Sequence, residues 1–210
     1  MSKPQTKPKT TKEYIEKQRT ALVQNEECGT TLYNLAIGLI KEGKWDEAIK
    51  ELHAAVESCP TLAEAYVALG GLYLHKGDLD ACIRFNERAT QVRPKFAEAY
   101  GNLGFAYLQR SDPEAAVAAL KKAVSLNPKF VQAHSNLASA YFMQGQLDES
   151  MAAANKALEL EPTFAVAHNN LALAYFEKGA YKEAVEHCDK ALANGFEVKP
   201  EFLKDLEPHR

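Results

Sequence analysis

Three histidines are the first side chains to test for chemistry: His134 and His168 stand 34 residues apart, and His187 adjoins Cys188. Imidazole and thiolate ligate zinc, and an imidazole beside a nucleophile acts as a general base. Either role requires side chains that converge on one point. Residues adjacent on a helix face different ways, so His187 and Cys188 do not converge, and the 34-residue step sets His134 and His168 on equivalent rungs of successive units. Their rings are expected to pack against the preceding helices. Cys28, Cys59, Cys82 and Cys188 are far apart with no C-x-x-C pair, which argues against a zinc ribbon or a thioredoxin-type site. They read as reduced thiols, Cys82 on a small core position and Cys28 and Cys59 at turns between units, within reach of oxidants. The reading is of a non-enzymatic chain with no catalytic constellation, no metal site and no cofactor.

The elements that position these residues follow from a repeat. Pro60, Pro94, Pro128 and Pro162 recur every 34 residues without an insertion. With Gly29, Ala63, Ala97, Val131 and Ala165 as first positions, the seventh is always leucine (Leu35, Leu69, Leu103, Leu137, Leu171), and position 27 is alanine from Ala55 to Ala191. Each unit holds two apolar-periodic segments of about 14 residues, here called helix A and helix B. They are joined at Gly43, Gly77, Gly145 and Gly179, where a left-handed residue ends helix A. These glycines punctuate turns and are not a phosphate loop. The third unit carries Ser111, Asp112 and Pro113 instead, which predicts an N-cap and first-turn pair for helix B and a different ending for helix A. Trp45 begins the first helix B as a packing residue.

This pattern of large, Leu, small, aromatic, small, large, Ala and Pro resembles the tetratricopeptide repeat family. In the fourth unit it falls on His134, Leu137, Ala138, Tyr141, Ser150, Ala154, Ala157 and Pro162; Asn86 and Cys188 elsewhere take the large core position of helix B, and Phe196 replaces the closing proline of the last unit. The resemblance spans residues 29–194. It implies an all-α, right-handed superhelical solenoid of five 34-residue helix-turn-helix repeats, at 29–62, 63–96, 97–130, 131–164 and 165–198. A 35-residue period and basic character would have marked the RNA-binding pentatricopeptide relatives, and this chain has neither. Residues 12–28, in register with a helix B, form a capping half-repeat: a helix over 12–25 with Tyr14, Ile15, Ala21 and Leu22 on its core positions. Residues 199–210 cap the other end, with Phe202, Leu203 and Leu206 on one face. Residues 1–11 read as a disordered basic tail.

Composition bounds the function. The chain has 210 residues, 46% hydrophobic and 25% charged, with 25 Lys and Arg against 28 Asp and Glu. A net charge of -3 leaves no cationic excess for a polyanion, so no nucleic-acid partner is expected. No window reaches the roughly 18 apolar residues of a membrane span, and the first residues lack the apolar stretch of a signal peptide; the expectation is a cytoplasmic protein without direct membrane insertion.

What remains is a surface. In the family, helices A line the concave face and positions 2, 5, 6, 9, 12 and 13 point into the groove. Position 6 here is Asn34, Asn102, Asn136 and Asn170, interrupted by Ala68. Such a ladder of amides resembles the one in the superhelical domain of O-linked N-acetylglucosamine transferases and can hold the backbone of an extended peptide; equally, Asn is the common residue of this consensus position. Apolar groove positions are Phe105, Leu74, Leu108, Phe142 and Phe176, and Glu64 and Glu98 at position 2 would read a basic residue. The cations of the dicarboxylate clamp found in chaperone-cofactor repeats are absent. The expected function is an adaptor that binds a protein or peptide partner in the groove for complex assembly. The alternative is a self-assembling structural protein forming homo-oligomers through groove and terminal helices.

Overall fold

The computed structural model describes residue 8, residues 10–24 and residues 28–210, so most of the predicted basic tail lies outside the described residues. The architecture is all-α, and no strand occurs among the described residues. The chain divides into two units, at residues 1–95 and 96–210. The first contains α1 (Thr11–Gln24), α2 (Gly29–Lys41), α3 (Trp45–Ser58), α4 (Ala63–His75) and α5 (Leu79–Val92). The second contains α6 (Ala97–Gln109), α7 (Pro113–Leu126), α8 (Val131–Met143), α9 (Leu147–Leu160), α10 (Ala165–Glu177), α11 (Tyr181–Ala193) and α12 (Pro200–Leu206), followed by a short 3-10 turn, Glu207–His209. α2, α4, α6, α8 and α10 thus begin on the five first positions of the sequence repeat.

Each pair is joined by the same hydrogen-bonded turn. In the fourth pair Gly145 is left-handed (φ 72°), its N–H donates to Phe142 O, and the next N–H, of Gln146, reaches back to Tyr141 O. These are the two bonds of a Schellman ending, which satisfy carbonyls that the last helical turn leaves open. Ser111 corrects the sequence expectation. It adopts the same left-handed conformation (φ 57°) and donates to Leu108 O, while Asp112 N–H donates to Tyr107 O, so α6 ends by the same means as the other A helices. The bonded frame overrides the residue's preference and holds a Cβ where glycine would be unstrained. The other part of that expectation is met, since the Asp112 carboxylate accepts from Ala115 N–H and Pro113 occupies the first turn of α7.

Cores are built from leucine set against alanine or glycine. In the first unit Leu35, Leu39, Leu52 and Leu69 are buried with Ala36, Ala48 and Ala55, and Ile15 of α1 joins them, with Leu22 packed alongside. α1 docks where α2 has no side chain: a Cβ on Gly38 would lie 2.8 Å from Ile15 Cγ1. In the second unit Leu120, Leu137 and Leu171 are buried among Ala116, Ala123, Ala138 and Ala154. At its end Phe202 and Leu206 of α12 close over Ala172, Cys188 and Ala191, with Leu203 packed beside them. Asn86, at a large core position, is fully buried and donates to Cys82 O at 2.8 Å, in space left by Gly70.

Two substitutions test this packing by urea unfolding. A Cβ on Gly104 would overlap the Leu120 side chain. Gly104→Ala should therefore lower stability by roughly 1–3 kcal/mol from overpacking, in spite of alanine's better helix propensity. Ser111→Gly relieves the left-handed residue and should raise stability by roughly 1 kcal/mol.

Candidate functional site

In the second unit the A helices α6, α8 and α10 neighbour one another as one layer, each backed by its own B helix. α8 carries Phe142 and α10 carries Asn169 and Leu173 to the same part of that layer. The chain leaves α11 through Gly195, left-handed at φ 83°, and returns over them with Phe196, Glu197, Lys199 and, from α12, Phe202. Together these seven residues line a pocket of about 290 Å³. Three phenyl rings and a leucine make its walls apolar, while the Asn169 amide, Glu197 and Lys199 supply polar groups of both charges. An apolar recess with a few convergent polar groups is the usual form of a ligand or side-chain site.

The residues singled out from sequence meet different fates. Phe142 lines the pocket. Phe176 does not face an open groove, because Phe202 and Tyr181 meet it edge-on at 5.4 and 5.3 Å, so it anchors the C-terminal cap. Leu108 packs against the core of the second unit, and Phe105 is half-buried. Asn170 also differs from the expected groove amide. It is 5% exposed, its NH2 donates to Ser135 O at 2.9 Å and to Ser139 Oγ at 3.0 Å, and its carbonyl lies 3.2 Å from the same hydroxyl. The small serines of α8 admit the side chain, and the buried amide is spent joining α8 to α10. Asn102 and Asn136 are half-buried in the same unit.

Asn34, Leu74 and Glu64 belong to the first unit, where Asn34 and Leu74 are half-buried. The Glu64 carboxylate accepts from the Arg93 guanidinium at 2.7 Å, which holds it below the usual carboxylate range. Its charge is therefore engaged within the chain and is not held out for a basic residue; Glu98, by contrast, is exposed. The first unit has its own recess of about 290 Å³, lined by Ile40, Trp45, Ala68, Gly71, Leu72 and His75. Trp45, half-buried, sits with its ring centroid 3.4 Å from that of His75.

The histidines form a pair that sequence spacing did not show. His168, 6% exposed, has its Nε2 3.0 Å from Pro162 O and its Nδ1 3.0 Å from His187 Nδ1. A carbonyl only accepts, so His168 Nε2 carries a proton, and in its neutral form His168 Nδ1 accepts from His187 Nδ1–H. Tyr175 stacks on His187 at 5.5 Å. Burial, and then the proximity of His168, push the His187 imidazole below its usual range. His134 instead places Nε2 2.9 Å from Pro128 O. Cys188 is buried in the C-terminal cluster. Among the described residues no three His, Cys, Asp or Glu side chains gather where a metal ion could be held, and no helix is long and apolar enough to cross a membrane.

Tetratricopeptide repeat models match residues 39–104, 84–126, 102–165 and 165–194. The chain is a tetratricopeptide repeat protein. Among solved structures, MamA is 29% identical to this repeat protein, with a TM-score of 0.68 over 76% of this chain and 94% of that one. YrrB, described as a TPR protein with an unusual peptide-binding site, is 24% identical, with a TM-score of 0.72 over 86% of this chain and 93% of that one. A chain of the APC/C hetero-tetramer Cut9-Hcn1 is 21% identical, with a TM-score of 0.77 over 93% of this chain and 39% of that one. None of the curated protein sequences compared with the chain matches it. Tetratricopeptide repeats form protein–protein interaction scaffolds, and this repeat protein has the fold of one.

The lowered His187 leads to a prediction for stability in acid. The folded chain binds a proton there less readily than the unfolded chain, so the stabilisation is complete above the ordinary imidazole value of about 6.5 and is lost as pH falls through the folded value. The urea midpoint should fall between about pH 7.5 and pH 5. His187→Gln should flatten that dependence.

Proposed function

We propose that this protein is a non-enzymatic adaptor that holds an extended segment or helix of a partner protein against the A-helix layer of its second unit. The observation that carries the reading is the pocket between Phe142, Leu173 and Phe202, an apolar-walled hole with room for one large side chain. Asn136 on α8 and the pocket's Asn169 lie along the same layer and can hydrogen-bond the backbone of the segment, as amides that both donate and accept. Exposed Glu98 remains free to meet a basic residue, a task Glu64 gives up to Arg93. Affinity on the order of micromolar suits such a site, because ordering a flexible segment costs much of the contact energy.

The test is affinity enrichment from lysate with wild type and an Asn136→Ala, Asn169→Ala, Leu173→Ala variant whose helicity is checked by circular dichroism. A segment of the recovered partner is then titrated calorimetrically against both proteins. The expected result is at least a tenfold weaker Kd for the variant, equivalent to about 1.4 kcal/mol. Equal affinity would place binding elsewhere on the molecule. Recovery of nothing but further copies of this chain would favour self-assembly through its helical surfaces.

A further inference from the structure

The four cysteines fall into two classes. Cys82 and Cys188 are fully buried, and burial pushes the Cys82 thiol up to about 11 and the Cys188 thiol up as well. Cys28 and Cys59 are half-exposed and sit at opposite ends of one helix pair, Cys28 immediately before α2 and Cys59 immediately after α3. Antiparallel packing brings those two ends to the same corner. The approach there is as close as backbone allows: a Cβ on Gly29, the residue after Cys28, would lie 2.6 Å from Cys59 Cβ and 2.8 Å from Ala55 O. Any side chain at Gly29 would push the corner apart, so its absence is what lets the backbone next to one thiol touch the side chain bearing the other. Cys59 N–H is held by Ala55 O at 2.8 Å, and Cys59 Sγ rests 3.6 Å from the Thr61 hydroxyl.

We propose that Cys28 and Cys59 are a redox pair that hydrogen peroxide converts to an intramolecular disulfide, locking the first helix pair at its open corner. The two sites differ in readiness. The Thr31 side chain and backbone and the Thr30 backbone, at the start of α2, hold the Cys28 thiol below the ordinary cysteine range, so Cys28 is the sulfur that is oxidised first. Its thiolate attacks the peroxide O–O bond, forming a sulfenic acid and releasing hydroxide. Cys59 sulfur then attacks Cys28 sulfur; the S–O bond breaks, the S–S bond forms, and the hydroxyl leaves as water with the Cys59 proton. Two thiols and one peroxide give one disulfide and two waters. The bond ties the start of α2 to the end of α3 across the whole pair, a loop long enough for the cross-link to restrict the unfolded chain.

The experiment treats the full-length reduced protein with equimolar hydrogen peroxide and maps it with trypsin, without reduction. Cleavage leaves Cys28 in peptide 20–41 and Cys59 in peptide 51–76. The expected products are these two peptides joined within a monomeric chain, with Cys82 and Cys188 unmodified and a higher urea midpoint for the oxidised protein. In Cys59→Ser, dimedone should trap Cys28 as its sulfenic acid; in Cys28→Ser, oxidation of Cys59 should slow several-fold. Circular dichroism verifies the fold of each variant, and the wild-type map stands without them. The proposal is overturned if Cys28 and Cys59 are oxidised singly with no linked peptide, or if linkage appears only between chains.

Discussion

Close contact between the two helices of each pair is the constraint on which the rest of the structure depends. Ala36, Ala48 and Ala55 in the first pair, and Ala138, Ala154 and Ala157 in the fourth, have no exposed surface. A methyl group at these points lets two helices approach until the leucines beside them, such as Leu52 and Leu171, are shut off from water. Gly104 carries the principle further, since Leu120 fills the space its missing side chain leaves. None of these helices has enough apolar surface to stand alone, so burial is supplied by a partner helix and by the next pair in the stack.

That dependence leaves an apolar edge beside α2 in the first unit and beside α10 and α11 in the second, and α1 and α12 cover these two edges. α1 puts Ile15 onto Gly38, and α12 puts Phe202 and Leu206 onto α10 and α11. The second closure also creates the candidate site. Phe196 stands where the last repeat would have its closing proline, and with Phe202 it turns the end of the stack into the wall of a pocket facing Phe142 and Leu173. A device that completes the core thereby also shapes the pocket.

Much of the framework could be read from residue spacing. The A helices begin at Gly29, Ala63, Ala97, Val131 and Ala165, which are spaced by the same 34 residues as the leucines and prolines. The site was legible only in part. Phe142 and the apolar character of its surroundings followed from repeat position, and Phe196 and Phe202 were visible as a departure and a cap face. That these last two join Phe142 and Leu173 in one pocket depends on the turn through Gly195, which no period signals. Asn170 shows the opposite failure. Its repeat position equals that of Asn136, yet the two serines of the preceding A helix draw its amide inward, because a buried amide must find partners wherever space admits it.

Sequence by itself determined the helical class, the helix pairs and the recurring leucines and alanines, Leu35 to Leu171 and Ala55 to Ala191, that are buried within them, because these follow from a short-range period repeated without insertion. Tertiary structure decided how individual polar and aromatic groups are used: Glu64 joined to Arg93, His168 to His187, Phe176 to Phe202, and Ser111 held in a glycine's conformation. The physical reason lies in range. Periodicity specifies which face of a helix is apolar, whereas the partner of a given carboxylate, imidazole or ring is whatever the neighbouring element brings within a few ångströms, and that is settled only when the helices have packed.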